Sequence, residues 1–123
     1  MLEHTLDAAN SILYLRPKSS LTKEDFSGLA KTVDPHIEKS GALAGIIVEA
    51  AKFPGWDSFA ALAAHLRFVR DHHKKVRKIA LVTDSALGNV GEKLGSHFVA
   101  AQIRHFPVGQ SEAARQWILG TGK

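Results

Sequence analysis

The sequence predicts a single α/β domain over residues 1–123, with a mixed, mostly parallel sheet in ββαβαβαβα order. Three observations predict it. Two short continuous apolar runs, AGIIVEA (44–50) and KIALVTD (78–84), have the composition of strands buried on both faces. Segments with helical spacing alternate with these runs, and strand–helix–strand alternation implies right-handed crossovers between parallel strands. The chain opens on two strand-like stretches joined by a short turn, which adds one antiparallel strand.

In order along the chain, LEHTL and SILYLRP read as the opening strands, with DAAN turning between them. LTKEDFSGLAKTVDPHIEKSG reads as the first helix. Thr22 is placed to cap it with Asp25 three residues on, and Leu21 and Phe26 are spaced for a hydrophobic staple. Phe26, Leu29, Ala30, Val33 and Ile37 recur at helical spacing. Pro35 is expected to kink this helix or to restart it with Asp34 as a second cap, and Gly41 to stop it. Strand 44–50 follows, then a second helix from near Asp57 to about His73, and strand 78–84. Residues 85–100 read as a loop and a glycine-weakened helix, and 101–107 as a further strand. The final helix spans 110–120, with Ser111 as its cap and Ala114, Trp117 and Ile118 on one face.

Bulk composition narrows the class. The chain has 123 residues, 45% hydrophobic and 23% charged, which fits one globular domain and excludes disordered or fibrous chains. No apolar run approaches the roughly 18 residues that span a bilayer, and the first ten residues have no secretory apolar core. There is no cysteine, so disulfides and thiolate chemistry are excluded. A cytoplasmic home is the simplest expectation. The net charge of +4, from 16 Lys and Arg against 12 acids, permits weak attraction to anionic surfaces.

The FPGW after the third strand, the passage HLRFVRDHHKKVRKIALVTD and the closing EAARQWIL occur in an order and spacing that resembles the SpoIIAA-like family, a branch of the STAS superfamily. The resemblance spans nearly the whole chain. It implies a small sheet with helices mainly on one face, similar in shape to CRAL-TRIO lipid carriers. It also implies ligand binding in an apolar cleft and peripheral membrane association, without catalysis. STAS regulators carry Asp-Ser-Ser-Gly at the start of the second helix, the second serine accepting phosphate. The matching stretch here is Asp57-Ser58-Phe59-Ala60, so Phe59 stands at the acceptor position and only Ser58 remains as a nearby hydroxyl.

The candidate site follows from surplus apolar surface. Phe59, Leu62, Ala63, Leu66 and Val69 form one stripe of the second helix, expected to face the sheet. Phe68 lies about half a turn away, at about 100° per residue. Phe53, Trp56, Phe68, Leu94 and Phe98 are therefore candidates to line a cleft between the second and third helices; plain packing is the alternative. Gly88, Gly91 and Gly95 fit a lid over it more than a phosphate cradle for a nucleotide or lipid head group; a flexible turn is the alternative. Arg67, Arg70, Lys74 and Lys75 are candidates to meet an anionic surface, or simply a solvated helix end.

Other chemistries are weakly signalled. The GNVGEKLG segment is neither a Walker loop nor GxGxxG, and GTGK at 120–123 has no helix to open, so no cofactor is expected. Seven histidines include no HExxH, and no metal site is expected. Asp84 and Ser85 end a parallel strand but lack a nucleophile elbow. Nucleic acid is not expected, because stacking aromatics interleaved with a strong charge stripe are missing. The expected function is a non-enzymatic module binding an apolar or lipid-like ligand, with contact to the inner membrane face. The alternative is a STAS-type regulator acting on a protein partner, and a homodimer is open to either.

Overall fold

The computed structural model describes residues 1–52, 54–84, 92–93 and 100–120. Five strands form one sheet in sequential order: β1 (Leu2–Asp7), β2 (Ile12–Pro17), β3 (Leu43–Glu49), β4 (Val76–Val82) and β5 (Gln102–Phe106). β1 and β2 are antiparallel and every later pairing is parallel, as the opening hairpin and the βαβ alternation require. The hairpin turns where Asp7 accepts from the Asn10 backbone and side chain, and Ser11 adopts a left-handed φ of 58°.

Helix α1 (Lys23–Ser40) starts on a complete capping box. The Asp25 N–H donates to Thr22 Oγ1 at 3.1 Å, and the Thr22 N–H donates to Asp25 Oδ2 at 2.9 Å. Leu21 and Phe26, the expected staple pair, are both buried in the same core cluster. Pro35 neither restarts the helix nor makes Asp34 a cap, since α1 runs through it without a break. Lys31, whose carbonyl loses its partner, and Pro35 both lie on the exposed face, where water can satisfy that oxygen. Gly41, at φ 88°, ends the helix as expected.

Helix α2 (Phe59–His72) continues into a 3₁₀ turn, His73–Lys75, that leads into β4. Helix α3 (Ser111–Leu119) is the last element described. The expected Ser111 cap is not one. The turn from Pro107 closes with the Gln110 N–H donating to the Pro107 carbonyl at 3.1 Å, and the Gln110 carbonyl then accepts the first helical bond from Ala114. Gln110 is thus the N-cap and Ser111 the first helical residue.

The sheet has a core on each face. On one, α1 and α2 cover Leu13, Leu43 and Ile46. On the other, α3 places Ala114 and Ile118 on Ile12, Ile47 and Ala80. The helices are therefore mainly on one face, with α3 opposite. α3 sits close because Gly45 lies beneath it, where a Cβ would meet Ile118 atoms at 2.5–2.8 Å. Lys78 Nζ donates to the Trp117 carbonyl at 2.8 Å and lies 5.1 Å from the indole centroid, so a cation closes the C-terminal end of α3.

Candidate functional site

α2 carries two apolar faces. The sequence favoured burying Phe59, Leu62, Ala63, Leu66 and Val69; the fold buries another stripe. Phe59 is 83% exposed and Leu66 61% exposed. With Phe59 as zero and about 100° per residue, Leu62, Ala63, Leu66 and Val69 fall within about 80° of it. Ala61, Ala64, His65, Phe68 and His72 cluster around 200°, and these turn inward.

The inward choice has a physical reason. α2 packs chiefly on α1, and Ala61 and Ala64 are small enough to let the helices approach. The rings then interleave. His65 stacks on Phe26 of α1 at 4.8 Å and 16°, Phe26 meets Phe68 at 6.3 Å, and Phe68 stacks on His72 at 4.0 Å. His72 ends the row, with Nδ1 2.7 Å from the Phe68 carbonyl and Nε2 2.6 Å from Asp34 Oδ1. Asp34, expected as a helix cap, instead ties α1 to α2.

Trp56 stands at the other end of this row. Its Nε1–H donates to His65 Nδ1 at 3.1 Å, with the rings 5.8 Å apart. Its backbone is bridged to Leu21: the Leu21 N–H donates to the Gly55 carbonyl at 2.8 Å, and the Asp57 N–H to the Leu21 carbonyl at 2.9 Å. Gly55, at φ 82°, permits the turn. Burial holds the His65 pKa below the ordinary histidine value, so its ring is neutral where Trp56 meets it.

Between α1 and α2 lies an open groove of about 380 Å³. Phe26, Ala30, Ala64 and Phe68 form its apolar wall, and Lys23 and Arg67 stand at its rim. Of the five residues expected to line a cleft between the second and third helices, Phe68 lines this groove and Trp56 flanks His65. Phe53, Leu94 and Phe98 lie outside the described residues, as do Gly88, Gly91 and Gly95 of the expected lid and Ser85.

The basic residues divide. Arg70 is held by Asp71 at 2.9 Å; that hydrogen bond raises the guanidinium pKa and lowers the carboxyl pKa. Arg67, Lys74 and Lys75 are exposed and form no ion pair among the described residues. No group of three or more metal-ligating side chains comes together among the described residues. Asp84 donates its N–H to the Ala51 carbonyl at 3.3 Å.

Ser58 is the N-cap of α2, and its hydroxyl accepts from the Ala61 N–H at 3.1 Å. The next residue, Phe59, projects outward as the first residue of the helix. What sequence spacing missed is the His65–His72 side of α2. A ring or alanine at 61, 64, 65, 68 and 72 is helical spacing too, but histidine and alanine weigh little on a hydrophobicity count.

The family model described as SpoIIAA-like matches residues 12–119. Among solved structures, an uncharacterized protein of the DUF3478 family from Shewanella loihica PV-4, described as having a SpoIIAA-like fold, superposes with a TM-score of 0.74. It is 15% identical, and the match covers 96% of this chain and 92% of that one, a likeness of fold. No curated protein matches the chain. With the sequential sheet, the flanking helices and a family match over residues 12–119, the chain belongs to the SpoIIAA-like family.

Proposed function

We propose that this domain is a non-enzymatic binding module that docks on an anionic lipid surface through the outer face of α2. The observation that carries the reading is the exposure of Phe59 (83%) and Leu66 (61%) on one face of a single helix. Leu62, Ala63 and Val69 extend that face, and Arg67, Lys74 and Lys75 border its C-terminal half. An apolar stripe edged by Lys and Arg is the composition with which a helix lies in a membrane interface, apolar side chains in the acyl boundary and cations at the head groups. No described helix is long and apolar enough to cross a membrane, so the docking is peripheral.

The test is co-sedimentation of the purified protein with phosphatidylcholine vesicles, with and without phosphatidylglycerol. Binding is expected only to the anionic vesicles, weakening as salt rises, and lost in Phe59→Ser/Leu66→Ser with the melting temperature unchanged. Absence of binding at low salt, or binding indifferent to the double substitution, refutes the reading.

A regulatory protein partner on the same face is the second reading. It is favoured by Phe59 standing where STAS regulators carry the acceptor serine, which leaves apolar contact in place of a phosphate. A partner whose capture is lost in Phe59→Ser, from a protein that ignores vesicles, supports this reading over the first.

A further inference from the structure

The contact between His65 and Trp56 exists in one protonation state only. The indole Nε1–H donates to His65 Nδ1 at 3.1 Å, so Nδ1 carries no hydrogen and the ring proton sits on Nε2. A proton taken from solvent adds a hydrogen at Nδ1, and two donors then face each other across the same gap. The surroundings select the neutral ring. Phe26 from α1 and Trp56 from the preceding loop meet the imidazole, and neither titrates. Among the described residues no charged group of α1, of that loop or of α2 itself acts on it, and burial alone holds its pKa down. The indole has a way out, since Trp56 is 38% exposed. Its backbone is secured separately by the bridge to Leu21, so the side chain can turn without undoing the loop.

We propose that His65 is a proton-sensitive latch on Trp56: protonation of His65 breaks the indole–imidazole hydrogen bond and turns the Trp56 side chain into solvent at the N-terminal end of α2. His65 is one of the groups that hold the indole, and its hold depends on a proton. The latch goes beyond the docking function and does not rest on what the α2 face meets.

The experiment uses the full chain carrying Trp117→Phe, which leaves Trp56 as the sole tryptophan of the two. Its fluorescence is followed from pH 8 to 4.5. The expected result is a red shift with loss of intensity, its midpoint below the ordinary histidine value of 6.5, while far-UV circular dichroism stays constant. Adding His65→Phe keeps a ring on Phe26 without the titrating nitrogen and is expected to flatten the profile. A flat profile in the Trp117→Phe protein overturns the latch. So does a transition that survives His65→Phe, or one that coincides with loss of helix signal. Should His65→Phe fail to fold, NMR of the Trp117→Phe protein decides: the Trp56 indole N–H and the His65 ring must shift with one midpoint, and separate midpoints overturn the proposal.

Discussion

Gly45 of β3 lies directly beneath Ile118 of α3, so close that a single added methyl would come within 2.5 Å of Ile118 Cδ1. The helix reaches its face of the sheet only because that strand position has no side chain. Gly45→Ala is expected to destabilise the domain by about 1–3 kcal/mol, the usual cost of overpacking, despite the better strand propensity of alanine. Ile118→Ala leaves a cavity and costs about 2–5 kcal/mol alone. Denaturant titration of the double variant should show less than the sum of the two losses, because each change relieves the other. Strict additivity would show that the contact does not limit packing.

The capping box of α1 predicts acid sensitivity. Burial pulls the Asp25 carboxyl up, but hydrogen bonds from the Thr22 and Leu2 N–H groups and the Thr22 side chain, with a nearby ammonium, outweigh it and hold it below its ordinary 3.8. A carboxyl depressed in the folded state contributes stability above its unfolded pKa and loses it as pH falls through the folded one. Asp25→Asn is therefore expected to be less stable than the parent at pH 7, with the gap closing as the pH falls below the ordinary 3.8 and through the depressed folded value. Thr22→Ala should cost about 1 kcal/mol. Thermal melts across pH 2–7 check both.

His72 and Asp34 join the C-terminal half of α1 to the end of α2 at 2.6 Å, with the histidine side chain 12% exposed and the aspartate 57%. Because the carboxylate is open to water, Asp34→Ala should cost only about 0.5–1 kcal/mol. In a double-mutant cycle with His72→Gln the two losses should couple, since each removes the same contact. Hydrogen exchange is the sharper readout: protection should fall in residues 68–72 and stay unchanged in β3.

The two faces of α2 predict opposite phenotypes from equally apolar residues. Phe59→Ser and Leu66→Ser should move stability by less than about 0.5 kcal/mol, because these side chains are already in water. Phe68→Ala should cost about 3 kcal/mol, since its ring lies between Phe26 and His72. Binding to anionic vesicles should respond in the reverse order.

Much of this fold was legible because its signals are local. The Thr22–Asp25 box, the Leu21–Phe26 pair, the Gly41 stop and the continuous apolar runs of β3 and β4 each sit within a few residues and have one structural answer. The orientation of α2 was not legible, because it depends on which neighbour the helix leans on. Counting aliphatic side chains points to Phe59 and Leu66, whereas the buried side is set by alanines that admit α1 and by rings that stack on Phe26. The restart expected at Pro35 failed for a related reason: the cost of the proline depends on whether the freed carbonyl faces water, a tertiary fact. At the site, Trp56 and Phe68 stood out from sequence, while the histidines, His65 and His72 among them, were weighed only for a metal motif that is not there. The stacking of His65 needs Phe26, some forty residues away, to be in place, and the tie made by His72 needs Asp34.

The sequential strand order has a consequence for how the molecule is made. Each strand pairs with the one before it, so no strand has to be threaded between two already joined. The sheet can lengthen in the direction of synthesis, each βα unit adding to an existing edge, with the short loop closures that favour rapid folding. Among the described elements, α3 must reach back across the sheet to β3, where Gly45 waits for Ile118. Until it docks, Ile12, Ile47 and Ala80 lack the Ala114 and Ile118 side chains that pack on them among the described residues. The nascent chain therefore carries an apolar sheet surface through most of its synthesis, and that is the stage at which a chaperone would find it.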